Sequence, residues 1–137
     1  MNIPLSDFKP TIRDYANNCW QEIWNNEENN KLHSIKPSVK ELTPIHSHYH
    51  KEDVVITRLR LGHTYLTHSH LLYNNPPPIC QHCNVNLSVS HILLICPFYN
   101  NHCNKLSPAY TMNHFFQENS DTDIINFLYD SNLFKEI

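Results

Sequence analysis

The chain of 137 residues holds a single glycine, Gly62. Tight hairpins and phosphate-cradling loops need residues that tolerate positive φ, and glycine supplies most of them. An architecture of many β-hairpins is therefore not expected, and a glycine-rich nucleotide loop is excluded. Long apolar runs are missing too, and none approaches the roughly 20 residues of a membrane span. The start, Met1-Asn2-Ile3-Pro4, lacks a basic stretch leading into an apolar one, so no secretory leader is expected. Charged residues make up 17% of the chain and the formal charge is −3 with histidines neutral. That is not the balance of a protein that grips nucleic acid by charge alone. Apolar residues reach 40%, so the core is modest and a bound metal would help it.

What the chain has instead is eleven histidines and five cysteines. An odd cysteine count without an export signal points to a reducing, intracellular compartment. Four of these side chains fall in one stretch, Cys80-x2-Cys83-x7-His91-x4-Cys96. Three thiols and one imidazole at that spacing make a tetrahedral Cys3His zinc set. Cys80 and Cys83 fit one tight turn, and Asn84 just beyond it suits a left-handed backbone nearly as well as glycine does. His91 and Cys96 are expected from the first turns of a helix. Pro76, Pro77 and Pro78 stiffen the approach as a polyproline segment. Four protein ligands leave no place for a reactive water, so the site reads as structural. Buried core thiols, or a disulfide, are the competing readings of the same cysteines. His102 and Cys103 are alternative ligands if Cys96 is not the fourth.

The rest of the chain reads as helices. Ser6 or Asp7 can cap a first helix, with Pro10 in its first turn, running to about Asn26. Phe8, Ile12, Tyr15, Cys19 and Ile23 fall at helical spacing, and Trp20 and Trp24 widen that stripe as packing anchors. Residues 31–37 look extended, and 37–44 form a proline-bounded linker. His46, His48 and His50 alternate, which on a strand would be a weak second metal site, although such a run is more often a solvated loop. A second helix starts near His50, with Val55, Leu59, Gly62 and Leu66 as its buried stripe. Arg60 and its neighbours are expected as solvated charges, and Lys51 and Arg58 share one face that suits phosphate contact. Thr64 to Tyr73 continues as helix or turn, and one of His63, His68 and His70 could be an extra metal ligand or support a ligand from behind, the competing reading being a surface histidine at each position. A short helix spans 111–116. Ser120 or Asp121 caps a last one that buries Ile124, Phe127, Leu128 and Phe134.

The segments Arg58-Leu59-Arg60-Leu61-Gly62-His63-Thr64-Tyr65-Leu66-Thr67-His68, Pro76 to Cys83, and Leu87 to Tyr99 together resemble the C-terminal tail of non-LTR retrotransposon polyproteins of the Jockey-like and I-like kind. The flanks, from Phe8-Lys9-Pro10 to the ending Asn132 to Ile137, extend the resemblance over nearly the whole chain. In that family the tail follows an endonuclease, a reverse transcriptase and a ribonuclease H domain. The resemblance implies that Cys80, Cys83, His91 and Cys96 are zinc ligands. The family often has glycine where this chain has Asn84. The thirteen carboxylates show neither the acidic cluster of ribonuclease H chemistry nor the aspartate-rich turn of a polymerase.

The expected fold is mainly α: a small helical domain with an embedded Cys3His zinc knuckle. It comprises an N-terminal helix and linker over 1–45, a central helix over 46–75, a zinc knuckle and following helix over 76–106, and C-terminal helices over 107–137, as one compact domain. The expected role is non-catalytic. A structural Zn2+ would shape a module that handles template RNA or RNA–DNA hybrid, contacting it through Lys51, Arg58, Ile79, Val85, Leu87 and Phe98. The alternative is a scaffold that packs on the reverse transcriptase and ribonuclease H domains of the parent element and touches no nucleic acid. Either role implies an intracellular location, in a cytoplasmic ribonucleoprotein or the nucleus, and no membrane partner.

Overall fold

The computed structural model describes residues 5–27, 29–40, 49–101 and 106–137, with side chains from Phe8 onward. The chain divides into two compact units, Met1–Thr43 and Pro44–Ile137. Both are helical, and no strand occurs among the described residues. His46, His48, His102 and Cys103 lie outside those residues, as do the side chains of the proposed caps Ser6 and Asp7.

The first unit is built on α1, Leu5–Asn25, with Pro10 inside it, one turn deeper than the sequence suggests. The apolar stripe of α1 is not a core face within this unit: Phe8, Ile12, Tyr15, Trp20 and Ile23 are all exposed. Trp24 is the anchor that behaves as expected. Its indole N–H donates to the Lys36 carbonyl at 2.8 Å and its ring meets His33 at 5.7 Å. Gln21 works beside it, donating to the Pro37 carbonyl and accepting from the Val39 amide, both at 2.8 Å. These bonds bend the chain back along α1. Residues 31–35, read as extended, instead form a short helix, α2, Lys31–Ile35. Asn30 explains it by accepting the Leu32 amide as an N-cap.

In the second unit α3 spans His50–Leu61, with Glu52 and Asp53 in its first turn and Arg58 and Arg60 in its last, matching the helix dipole. Gly62 does not continue the stripe. It ends the helix at φ 65°, in the left-handed conformation that a β-carbon disfavours. Leu66 therefore sits in a separate short helix, α4, Tyr65–His68, followed by α5, His70–Tyr73. Thr64 and Thr67 cap α4 reciprocally, and both are buried.

Beyond the cysteine-rich stretch come α6, Pro97–Asn100, α7, Met112–Glu118, and α8, Asp121–Asp130. Thr111 and Ser120 cap α7 and α8 with their hydroxyls. One core gathers Val55, Ile56 and Leu59 of α3, Val89, Ile92 and Leu93, Phe115 of α7, Ile124, Ile125, Phe127 and Leu128 of α8, and Leu133 and Ile137. Arg60 is not solvated. It is buried, paired with Asp121 at 3.0 Å and set over the Phe116 ring, so it ties α3 to the start of α8. The final residues close over α3 and α4. The Leu66 amide donates to the Glu136 carbonyl at 2.9 Å and the Arg58 guanidinium to the Ile137 carbonyl at 2.8 Å.

Candidate metal centre

Two local structures deliver four side chains to one point. The first is a knuckle. Ile79 and Asn86 form an isolated antiparallel bridge, and the Leu87 amide donates to the Pro78 carbonyl at 2.8 Å. Inside it the Cys80 amide donates to the Val85 carbonyl and the Asn84 amide to the Cys80 carbonyl, each at 2.8 Å. The chain turns through Asn84 at φ 54°, the left-handed position expected of it. This brings Cys80 and Cys83 together on the inside of the turn.

The second is a π-helical turn, His91–Ile95. Sequence spacing suggests an α-helix here, but in an α-helix residues five apart point about 140° away from each other. In the π turn the Cys96 amide donates to the His91 carbonyl at 2.8 Å. That i→i+5 bond closes on the two residues that must converge. Ser88 starts the turn by accepting the His91 amide at 3.1 Å. Val89, Ile92 and Leu93, on either side of His91, enter the core, so the turn is fastened from behind. Pro97 follows at the first position of α6, where its missing N–H is no loss.

The result is a group of four donors, Cys80, Cys83, His91 and Cys96, whose ligand atoms all lie within 4.8 Å of one another. Cys80, His91 and Cys96 are buried and Cys83 is half-buried. The Cys96 sulfur is 3.7 Å from both the Cys80 and the Cys83 sulfur. That is too long for a disulfide, and all three thiols are free. It agrees with the sulfur–sulfur edge of about 3.8 Å for thiolates held ~2.3 Å from one tetrahedral centre. Core thiols would not need this convergence. His91 Nε2 supplies an independent sign: it is buried with no hydrogen-bond partner. Such an orphaned nitrogen is costly unless something binds it. The residues present therefore fit a bound metal ion.

The thiols are unequal. Burial pushes Cys80 up, but the His91 imidazole, the Cys83 and His82 amides and the Cys96 thiol outweigh it and bring it from 9.0 down to about 6. Burial, then the adjacent Cys96 and Cys80 thiols, push Cys83 up to about 11. Tyr99 is also raised, first by burial and then by the charge of Cys80 and Cys96. The cluster thus favours the Cys80 thiolate over that of Cys83, and cationic charge is what would let Cys83 ionise.

Around the donors, Ile79, Val85 and Phe98 are exposed by 56%, 48% and 41%. Leu87 differs from them, because it is partly buried and packs on the core. Lys51 and Arg58 are exposed on α3, a separate element from the knuckle. His63, His68 and His70 do not join the four-donor group; His63 stacks on His68 at 3.9 Å. Two supporting residues were missed from the sequence: His82, stacked on Phe98 at 3.9 Å and 12°, and Ser88. Only the serine's position three residues before His91 hinted at a cap.

Comparison with protein-family models, with curated proteins and with solved structures finds no match to this chain.

Proposed function

We propose that this chain is a non-catalytic zinc module whose Cys80, Cys83, His91 and Cys96 hold one structural Zn2+. The observation that carries this reading is the 3.7 Å spacing of the sulfurs around an unpartnered, buried His91 Nε2. Three soft sulfur donors and one imidazole select zinc over harder divalent ions. Zinc bound there supplies charge compensation and cross-links the knuckle to the π turn. With four protein ligands, no position remains for a substrate.

The resemblance to retrotransposon tails supports a role in an intracellular reverse-transcription particle, handling template RNA or RNA–DNA hybrid. Ile79, Val85 and Phe98 offer apolar and aromatic contact to unpaired bases beside the metal, and Lys51 and Arg58 offer phosphate contact. The test is titration of the zinc-loaded chain with single-stranded RNA at low salt. Saturable binding that weakens on Phe98→Ala is the expected result, and no binding refutes an autonomous RNA role.

A second reading is favoured by the exposed stripe of α1. Phe8, Ile12, Tyr15, Trp20 and Ile23 leave a run of apolar surface uncovered, as a scaffold docking on polymerase or ribonuclease H domains would require. Affinity for those domains without affinity for RNA selects it. Among the described residues no helix is long and apolar enough to cross a membrane.

A further inference from the structure

Away from the four candidate metal donors, α3, α4 and α5 border an open groove of about 340 Å³ lined by Arg58, His63, Tyr65, His68, Leu71 and Leu72, among others. Its size lies at the small end of ligand pockets, which run from about 300 to 1,000 Å³. We infer that this groove binds one nucleotide unit of a single-stranded nucleic acid, the phosphate against Arg58 and the base against the histidine rings and leucines. The inference deepens the RNA reading above and rests on it for the choice of partner.

Three features of the groove point the same way. First, it joins a fixed cation to a flat ring stack. The Arg58 guanidinium is oriented by its bond to the Ile137 carbonyl, and the His63 and His68 rings lie 3.9 Å apart at 28°. Guanidinium groups recognise phosphate oxygens, and stacked rings accept a base without regard to its identity. Second, the platform is built from below. Thr67 Oγ1 holds His68 Nδ1 at 2.7 Å, and Thr67 is itself locked to Thr64 in the buried cap of α4. A preformed surface loses little entropy on binding. Third, Leu71 and Leu72 are exposed apolar residues on the same wall, which a base would cover. Lys51 sits two turns from Arg58 on the same helix face, about 10 Å along the axis, in position for a neighbouring phosphate.

Two groups oppose an anion: the Ile137 oxygen, which already engages the Arg58 guanidinium, and a nearby carboxylate. The Glu136 carboxylate acts on the Tyr65 hydroxyl, which is raised first by its contact with Tyr73 and more weakly by Glu136. Glu136 does not line the groove, but its backbone is tied to Leu66 beside Tyr65, so its charge and that of Arg58 can be tested separately.

The experiment uses the zinc-loaded full chain with three probes: an oligouridine of about ten nucleotides, uridine monophosphate and inorganic phosphate. Affinity is read by fluorescence anisotropy and contact by NMR shifts of the His63, Tyr65 and His68 rings. Oligouridine should shift those rings, Arg58→Gln and His63→Ala should each weaken it about tenfold, and Glu136→Gln should tighten it a fewfold. A tightening cannot come from misfolding, and retained zinc and helicity check the weakening variants. Uridine monophosphate shifting the same rings more weakly supports a pocket that takes one unit of a longer strand. If oligouridine binds but all three variants leave its affinity unchanged, the RNA reading stands and the pocket assignment falls. If phosphate alone shifts the rings as strongly as oligouridine, the base has no place there and the assignment falls. If oligouridine does not bind at all, both fall.

Discussion

The Cys96 amide bonds to the carbonyl of His91 at 2.8 Å, so the two distal donors of the metal group close one π turn between them. Cys80 and Cys83 are gathered by an equally local device, the knuckle turned at Asn84. Each pair is preformed by its own backbone. What remains is the cross-link between the pairs, which spans residues 80 to 96 and is the contribution a metal would make.

Metal removal should therefore uncouple the two halves. The purified chain is expected to hold one zinc ion, and a strong chelator should lower its helicity and its melting temperature. With free zinc about a thousandfold above its dissociation constant, binding contributes about 4 kcal/mol to stability. Atomic absorption and circular dichroism on the native chain, His91→Ala and Cys96→Ser check this. Equal order with and without chelator refutes the site.

The metal-free chain should show a pH dependence set by Cys80. Its folded value lies near 6, below its ordinary value of 9.0. Between these limits the folded state binds fewer protons than the unfolded one, so stability should rise with pH from about 6 to 9. The contribution is complete above 9.0 and disappears as pH falls through 6. Cys83, raised to about 11, adds stability that is complete below 9.0 and lost as pH rises through 11. Chemical denaturation in chelator across this range checks both signs, and Cys80→Ser should flatten the lower limb.

Arg60→Ala should destabilise the second unit by about 3 kcal/mol, because it leaves the largely covered Asp121 carboxylate without its partner. The double change Arg60→Met with Asp121→Asn should cost clearly less. Urea denaturation of the single and double variants measures the coupling between them.

Gly62→Ala should cost about 1–2 kcal/mol, since a β-carbon is placed at φ 65°. Were Gly62 inside a helix, as its spacing with Val55, Leu59 and Leu66 suggests, the same change would stabilise. The sign of the shift in melting temperature decides between the two placements.

Much of the site was legible in the residues because its logic is local. The spacing C-x2-C-x7-H-x4-C names the donors, and Asn84 marks the turn that the first pair needs. The helical class follows from apolar periodicity and from the scarcity of glycine. The helix at Lys31–Ile35 was missed for a local reason, the Asn30 cap, whereas three other errors came from reading periodicity or composition without tertiary context. Gly62 sits in register with a buried stripe, and periodicity alone cannot distinguish a core position from a left-handed stop. The α1 stripe has the period of a buried face, yet nothing in its own unit covers it. Arg60 has the composition of a surface charge, but Asp121, distant in sequence, draws it inward.

The sequence alone determined which four side chains can share an ion and that helices would surround them, since donor chemistry and backbone preference act over a few residues. Only the tertiary structure decided that the π turn meets the knuckle, that Arg60 is buried, and that Arg58 and two stacked histidines line a common groove. Those outcomes depend on which distant surfaces pack together, and the free energy of that packing is not written in any short stretch of the chain.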